Sequence, residues 1–148
     1  GMRHFGKAFA RGLAAANTGN PAWAELPLGH VGAIAIQVEM DPEGRIARVD
    51  VERDPPPSAV LKAMLERALV LLREQTFSTD PPRAASGVER HTIDVTLSER
   101  PVSVPEGYVP AHFHGVGGEA PTRDRPGYSR FTLNSGRHFE AILRSSPP

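Results

Sequence analysis

The stretch from Ile34 to Arg53 leaves this chain the fewest choices. Ile34, Ile36, Val38 and Met40 alternate with Ala33, Ala35, Gln37 and Glu39, the two-residue period of a half-buried strand. Asp41-Pro42-Glu43-Gly44 follows. Proline presets φ at the first corner of such a turn, and glycine takes a corner that needs φ > 0. A second strand runs from Arg45 to about Arg53, with Ala47, Val49 and Val51 on one face and Arg48, Asp50 and Glu52 on the other. Ile46 falls out of that alternation, so a bulge or twist is expected beside the turn. The two strands read as an antiparallel hairpin.

Pro55-Pro56-Pro57 ends the second strand, because proline has no N–H to give a sheet ladder. Ser58 is suited to cap a helix, unless Pro57 and Ser58 themselves open its first turn. Leu61, Met64, Leu65, Ala68, Leu71 and Leu72 recur at helical spacing up to about Gln75, with Lys62, Glu66, Arg73 and Glu74 towards water. Val60, Leu69 and Val70 widen the stripe, so the helix is expected to pack on more than one neighbour. Burying five or six such side chains contributes on the order of 10 kcal/mol before chain entropy is subtracted. Met64 and the leucines therefore read as core. Phe77 leads into a loop, Ser78-Thr79-Asp80-Pro81-Pro82, and Val88–Leu97 reads as a third strand. His91, Ile93, Val95 and Leu97 share one of its faces, Arg90, Thr92, Asp94 and Thr96 the other. His91 ends an apolar row and reads as a satisfied or half-exposed histidine.

Upstream, Phe5, Ala8, Phe9, Leu13 and Ala16 mark a short amphipathic helix over His4–Ala16, stopped by Asn17-Thr18-Gly19-Asn20-Pro21. Trp23, in the link that follows, reads as a hydrophobic plug. Downstream, Glu99–Pro126 is dense in proline and glycine and lacks periodicity, as a long surface excursion would. Tyr128–Leu133 reads as a short strand. After Asn134-Ser135-Gly136, Phe139, Ala141 and Leu143 alternate as a returning strand, while Phe139, Ile142 and Leu143 also suit a helix; the hairpin is preferred. The expected fold is α+β in a single domain, 1–148. It has an N-terminal helix, then hairpin, helix and strand, as a small antiparallel sheet with helices on one face over 4–97. A Pro/Gly-rich extension over 98–148 ends in a short hairpin or strand–helix.

Chemistry is sparse. Lys+Arg and Asp+Glu number 17 each, so no basic field favours nucleic acid or anionic lipid. Cysteine is absent, which removes disulfides, thiolate catalysis and Cys-ligated metals from the chain. No apolar run approaches the ~20 residues that span a bilayer. The first residues lack the apolar stretch of a signal peptide, and Gly1 ahead of Met2 reads as a tag remnant. His112-Phe113-His114 would point two imidazoles to one side of an extended segment, as transition-metal ligands do, with Glu119, Asp124 or His138 as further donors. A loop histidine pair is the default. Gly115-Val116-Gly117-Gly118 lacks the strand, helix and Lys-Ser/Thr of a phosphate loop, and no Gly-x-Ser-x-Gly elbow occurs. Glu39, Asp41 and Glu43 gather at the hairpin tip, where a solvated turn is the default. No catalytic residue and no cofactor is expected. The alternative is a metal-binding protein or metal-dependent enzyme using His112 and His114.

The order of helix, strand, Asp-Pro-Glu-Gly turn, strand, proline break, long apolar helix, Phe-then-Pro-Pro loop and strand resembles the C-terminal domains of the TonB/TolA energy-transducer family. Gly32–Ile46, Val49-Asp50-Val51, the Val60–Leu72 helix, Phe77–Pro82 and Thr92-Ile93-Asp94-Val95 carry the likeness. The likeness implies a periplasmic or cell-envelope protein-interaction domain without enzymatic activity. Membrane attachment would require an anchor outside the residues given, and a native start at Met2 would instead suggest the cytoplasm. In that family partners commonly add a strand to a sheet edge, where unpaired N–H and C=O groups supply affinity. On this chain the implied edge is Val88–Leu97, with Arg90, Thr92, Asp94 and Thr96 outward. A cytoplasmic homo-oligomer whose sheets pair edge to edge, such as a homodimer, is a further reading.

Overall fold

The structure, a computed structural model, describes residues 5–54, 56–77, 87–100, 109–110 and 127–146. Its elements are α1 (Phe5–Asn17), α2 (Ala22–Glu25), β1 (Gly29–Met40), β2 (Ile46–Val51), α3 (Ala59–Leu72), β3 (Val88–Ser98), β4 (Val109–Pro110), β5 (Gly127–Thr132) and β6 (His138–Ser146). The strands form one sheet in the order β2-β1-β3-β6-β5-β4. All neighbours are antiparallel except the two-residue β4, which runs parallel to β5. The fold is α+β.

The hairpin forms where the alternation places it. Asp41 stabilises the turn by accepting from the backbone N–H of Glu43 and Arg45 at 3.0 and 2.8 Å. The bulge expected at Ile46 is present. Glu39 faces Arg48 and Met40 faces Ile46, so Ala47 is the extra residue. This turns Ile46, and not Ala47, towards the core. Ser58 caps α3 by accepting from Leu61 N–H at 3.3 Å. Leu61, Met64, Leu65, Ala68, Leu69 and Leu72 are buried, whereas Leu71 and Val70 stay 45% and 72% exposed. Leu69 thus takes the place in the apolar stripe expected of Leu71, and α3 ends at Leu72 instead of continuing to Gln75.

Both long helices lie on one face of the sheet, α3 over β1 and α1 over β5 and β6, in contact with each other. Between the layers sit Ile34, Ile36 and Val38 of β1, Ile93, Val95 and Leu97 of β3, and Phe139, Ala141 and Leu143 of β6. Trp23 is fully buried, with its ring edge-on to Phe139 at 5.1 Å, so it does act as a plug. Asn17, also fully buried, donates from Nδ2 to the carbonyls of Leu13 and Met64 and fastens the end of α1 to α3.

The main correction concerns β3. It is not an edge: β1 pairs with it on one side, and β6 on the other through Arg90–Ser98. The C-terminal strand occupies the position where an incoming partner strand was expected. Because Phe139, Ala141 and Leu143 face the core, hydrophobic burial holds β6 there in addition to the ladder. Residues 127–146 are therefore part of the sheet, and the hairpin reading of them is the one realised.

Candidate functional site

Arg90, Thr92, Asp94 and Thr96 lie on the sheet face away from the helices, each half-buried. Arg90 is committed to Glu52, donating from Nε and Nη2 to the two carboxylate oxygens at 2.8 and 2.9 Å. These two bonds hold the Glu52 carboxyl below its ordinary range, against the opposing effect of burial, and Gln37 adds a weaker bond at 3.4 Å. The same hydrogen bonds raise the Arg90 guanidinium. Asp94 contacts His30 Nε2 at 2.5 Å. Thr92 lies between Ala35 and Arg144, and Thr96 between His30 and Glu140. The four residues therefore form the middle of an open sheet face and offer no free backbone to a partner.

Sequence reasoning missed a second cluster, under the helices. His91 is 1% exposed, its Nδ1 lies 2.7 Å from Ser145 Oγ and its Nε2 3.1 Å from Glu89 Oε2. The rings of Phe5 and Phe9 close over it at 4.9 and 6.3 Å. A hydroxyl, imidazole and carboxylate in a row have the composition of a hydrolytic triad. Here the aromatic lid denies a substrate access to the imidazole, so the cluster is a satisfied buried histidine. Only the register of β6 on β3, which sets Ser145 opposite His91, could have revealed it.

His112 and His114, with Glu119 and Asp124, lie outside the described residues. His138 is on β6, where its Nδ1 is 3.2 Å from the Thr132 hydroxyl. Among the described residues no group of three or more His, Asp or Glu side chains is placed to hold a metal ion. A groove between α1 and α3, lined by Ala8, Gly12, Ala15, Leu71 and Gln75, encloses about 180 Å³. That is below the range of roughly 300–1,000 Å³ usual for small-molecule sites.

The backbone of β2 is the feature with unused binding capacity. β2 ends the sheet order and, among the described residues, is paired on one side only. Glu52 N–H donates to Ala35 C=O at 2.8 Å, and Val51 faces Ile36, Asp50 faces Gln37 and Val49 faces Val38. Hydrogen-bonded and non-hydrogen-bonded pairs alternate along an antiparallel ladder. Glu52, Asp50 and Arg48 thus direct their N–H and C=O groups at β1, and Val49 and Val51 direct theirs outward. Met40 N–H, which bonds Gly87 C=O at 2.9 Å on the β3 side, gives the same phase. Along this edge Arg48 and Asp50 expose 68% and 56% of their side chains, and Val51 is 36% exposed.

Among the described residues, fold and site together define a two-layer α+β arrangement whose sheet is flanked by its own C-terminal hairpin at one side and unpaired along β2 at the other. Comparison with protein-family models, curated proteins and solved structures gives no match.

Proposed function

We propose that this chain is a non-enzymatic protein-interaction domain that binds a partner by adding a strand to the free edge of β2. The observation that supports this is the outward row of backbone groups at Val49 and Val51 on a strand with exposed side chains. Such a row gives affinity through main-chain hydrogen bonds, with selectivity left to alternate side chains. The likeness of residues 32–97 to TonB/TolA C-terminal domains supports a place in the periplasm or cell envelope. It also supports strand addition as the mode, moved here from β3 to β2 because β6 already fills the β3 side.

Proline at Val49 tests the reading. It removes one outward N–H and none that bonds β1, a substitution an edge strand tolerates. Wild-type protein immobilised against a bacterial periplasmic extract is expected to retain a partner that Val49→Pro, with an unchanged circular dichroism spectrum, does not. Equal retention by both proteins overturns it, as does a wild type that retains nothing and is itself monomeric.

A further inference from the structure

We propose that the strand added to β2 is β2 of a second copy of this chain, antiparallel and in register about Val49; this rests on the strand-addition reading above. The geometry points to it through charge and phase together. A two-fold axis at Val49 sets Val49 opposite Val49 of the second copy and Arg48 opposite Asp50, twice over. The backbone phase of β2 fits that register. Val49 directs its N–H and C=O outward, so the central pair exchanges two hydrogen bonds across the axis. Arg48 and Asp50 then fall at the flanking non-hydrogen-bonded pairs, where opposed Cα atoms come to about 4.5 Å and side chains are closest.

Within one chain Arg48 Nε and Asp50 Oδ2 already meet at 2.9 Å, so both side chains lie on the open face and reach past the strand. Pairing exchanges this exposed contact for two contacts between chains. On the other face the two Val49 side chains would lie against each other, with Val51, which is 36% exposed, beside them. The ends of the strand limit the pairing. The bulge at Ala47 breaks the ladder on one side and Pro55-Pro56-Pro57 on the other, so only about residues 47–51 engage. Because each copy uses the same edge, the contact closes at a dimer. Among the described residues the far end of the sheet is the two-residue β4 with Pro110, which discourages further growth.

Sedimentation of the purified chain over a range of concentrations tests this. The wild type is expected to show a monomer–dimer equilibrium. Arg48→Asp or Asp50→Arg alone places like charges opposite one another and should weaken it roughly ten-fold or more. The swap carrying both changes should dimerise as the wild type does. An equimolar mixture of the two single variants should form a heterodimer, since every opposed pair is then complementary. Both side chains are solvent-exposed, so unchanged thermal midpoints confirm intact folds. A wild type that is monomeric throughout, single variants that dimerise normally, or a mixture that stays monomeric overturns the inference. If a monomeric wild type still retains an extract protein that Val49→Pro loses, strand addition stands and only the second copy is excluded.

Discussion

Glu52 lies just beyond β2, and its bidentate pair with Arg90 reaches over Gln37 to tie the end of the edge strand to β3. Arg90 retains 36% exposure and Glu52 22%, so solvent screens the pair, and its net contribution is about 0.5–1 kcal/mol. The sign of its pH dependence follows from the lowered Glu52 carboxyl. A carboxylate held below its unfolded value contributes stability that is fully present above that value and lost as pH falls through the folded one. Urea unfolding at neutral pH should therefore find Glu52→Gln less stable than wild type by about that amount. As pH falls below the ordinary glutamate range the gap should narrow, because the wild-type carboxyl is then being protonated. A gap that stays constant across this window would show that the hydrogen bonds from Arg90 do not set the Glu52 charge. Sequence alternation placed both residues on the correct face, but it held no sign that they meet, since they are 38 residues apart.

The turn between β1 and β2 joins a local cause to a non-local one. Gly44 was legible as the corner needing positive φ, and it has φ 85°. Its second role was not legible: Phe77 N–H donates to Gly44 C=O at 2.7 Å, and a Cβ at Gly44 would collide with the Phe77 carbonyl oxygen. The chain leaving α3 thus passes close over the hairpin turn, and Phe77 enters the core beside Phe5. Gly136, in the turn between β5 and β6, has φ 90° and open space around it. An alanine there bears only the conformational cost, about 1 kcal/mol. At Gly44 the collision adds to that cost, and a loss of about 2–4 kcal/mol is expected. Parallel urea titrations of Gly44→Ala and Gly136→Ala check this; equal losses would mean that the Phe77 crossing yields freely. The stripe of α3 shows the same limit of local reading: helical spacing allows Leu69 or Leu71 to face inward, and in the fold Leu69 is buried while Leu71 lines the groove between α1 and α3.

At the scale of the molecule, what the sequence shows least is which strands lie side by side. The hairpin, α3 and β3 each declare themselves within a short window, because period and turn chemistry are local properties. The pairing of β3 with β6 is set by which apolar rows complete one core, and it spans a Pro/Gly-rich segment without periodicity. Residues 4–97 therefore look self-sufficient in sequence, but in the structure they lack one wall. Phe139 supplies much of it, stacked on Phe131 at 4.4 Å and meeting Trp23 edge-on, so three separate parts of the chain converge on one ring. Phe139→Ala should cost about 3–5 kcal/mol, the range for a large aromatic removed from a packed core. Removing residues 101–148 should do more than free the outer side of β3. It strips Ile93, Val95 and Leu97 of their neighbours in the same layer and opens Trp23 to water. The shortened chain is expected to lose its near-ultraviolet circular dichroism and its cooperative urea transition. A shortened chain that unfolded cooperatively, with a Trp23 spectrum like the parent's, would instead mark 4–97 as a domain in its own right. The β5–β6 hairpin would then be a detachable occupant of the β3 edge, and that edge would return as a binding surface.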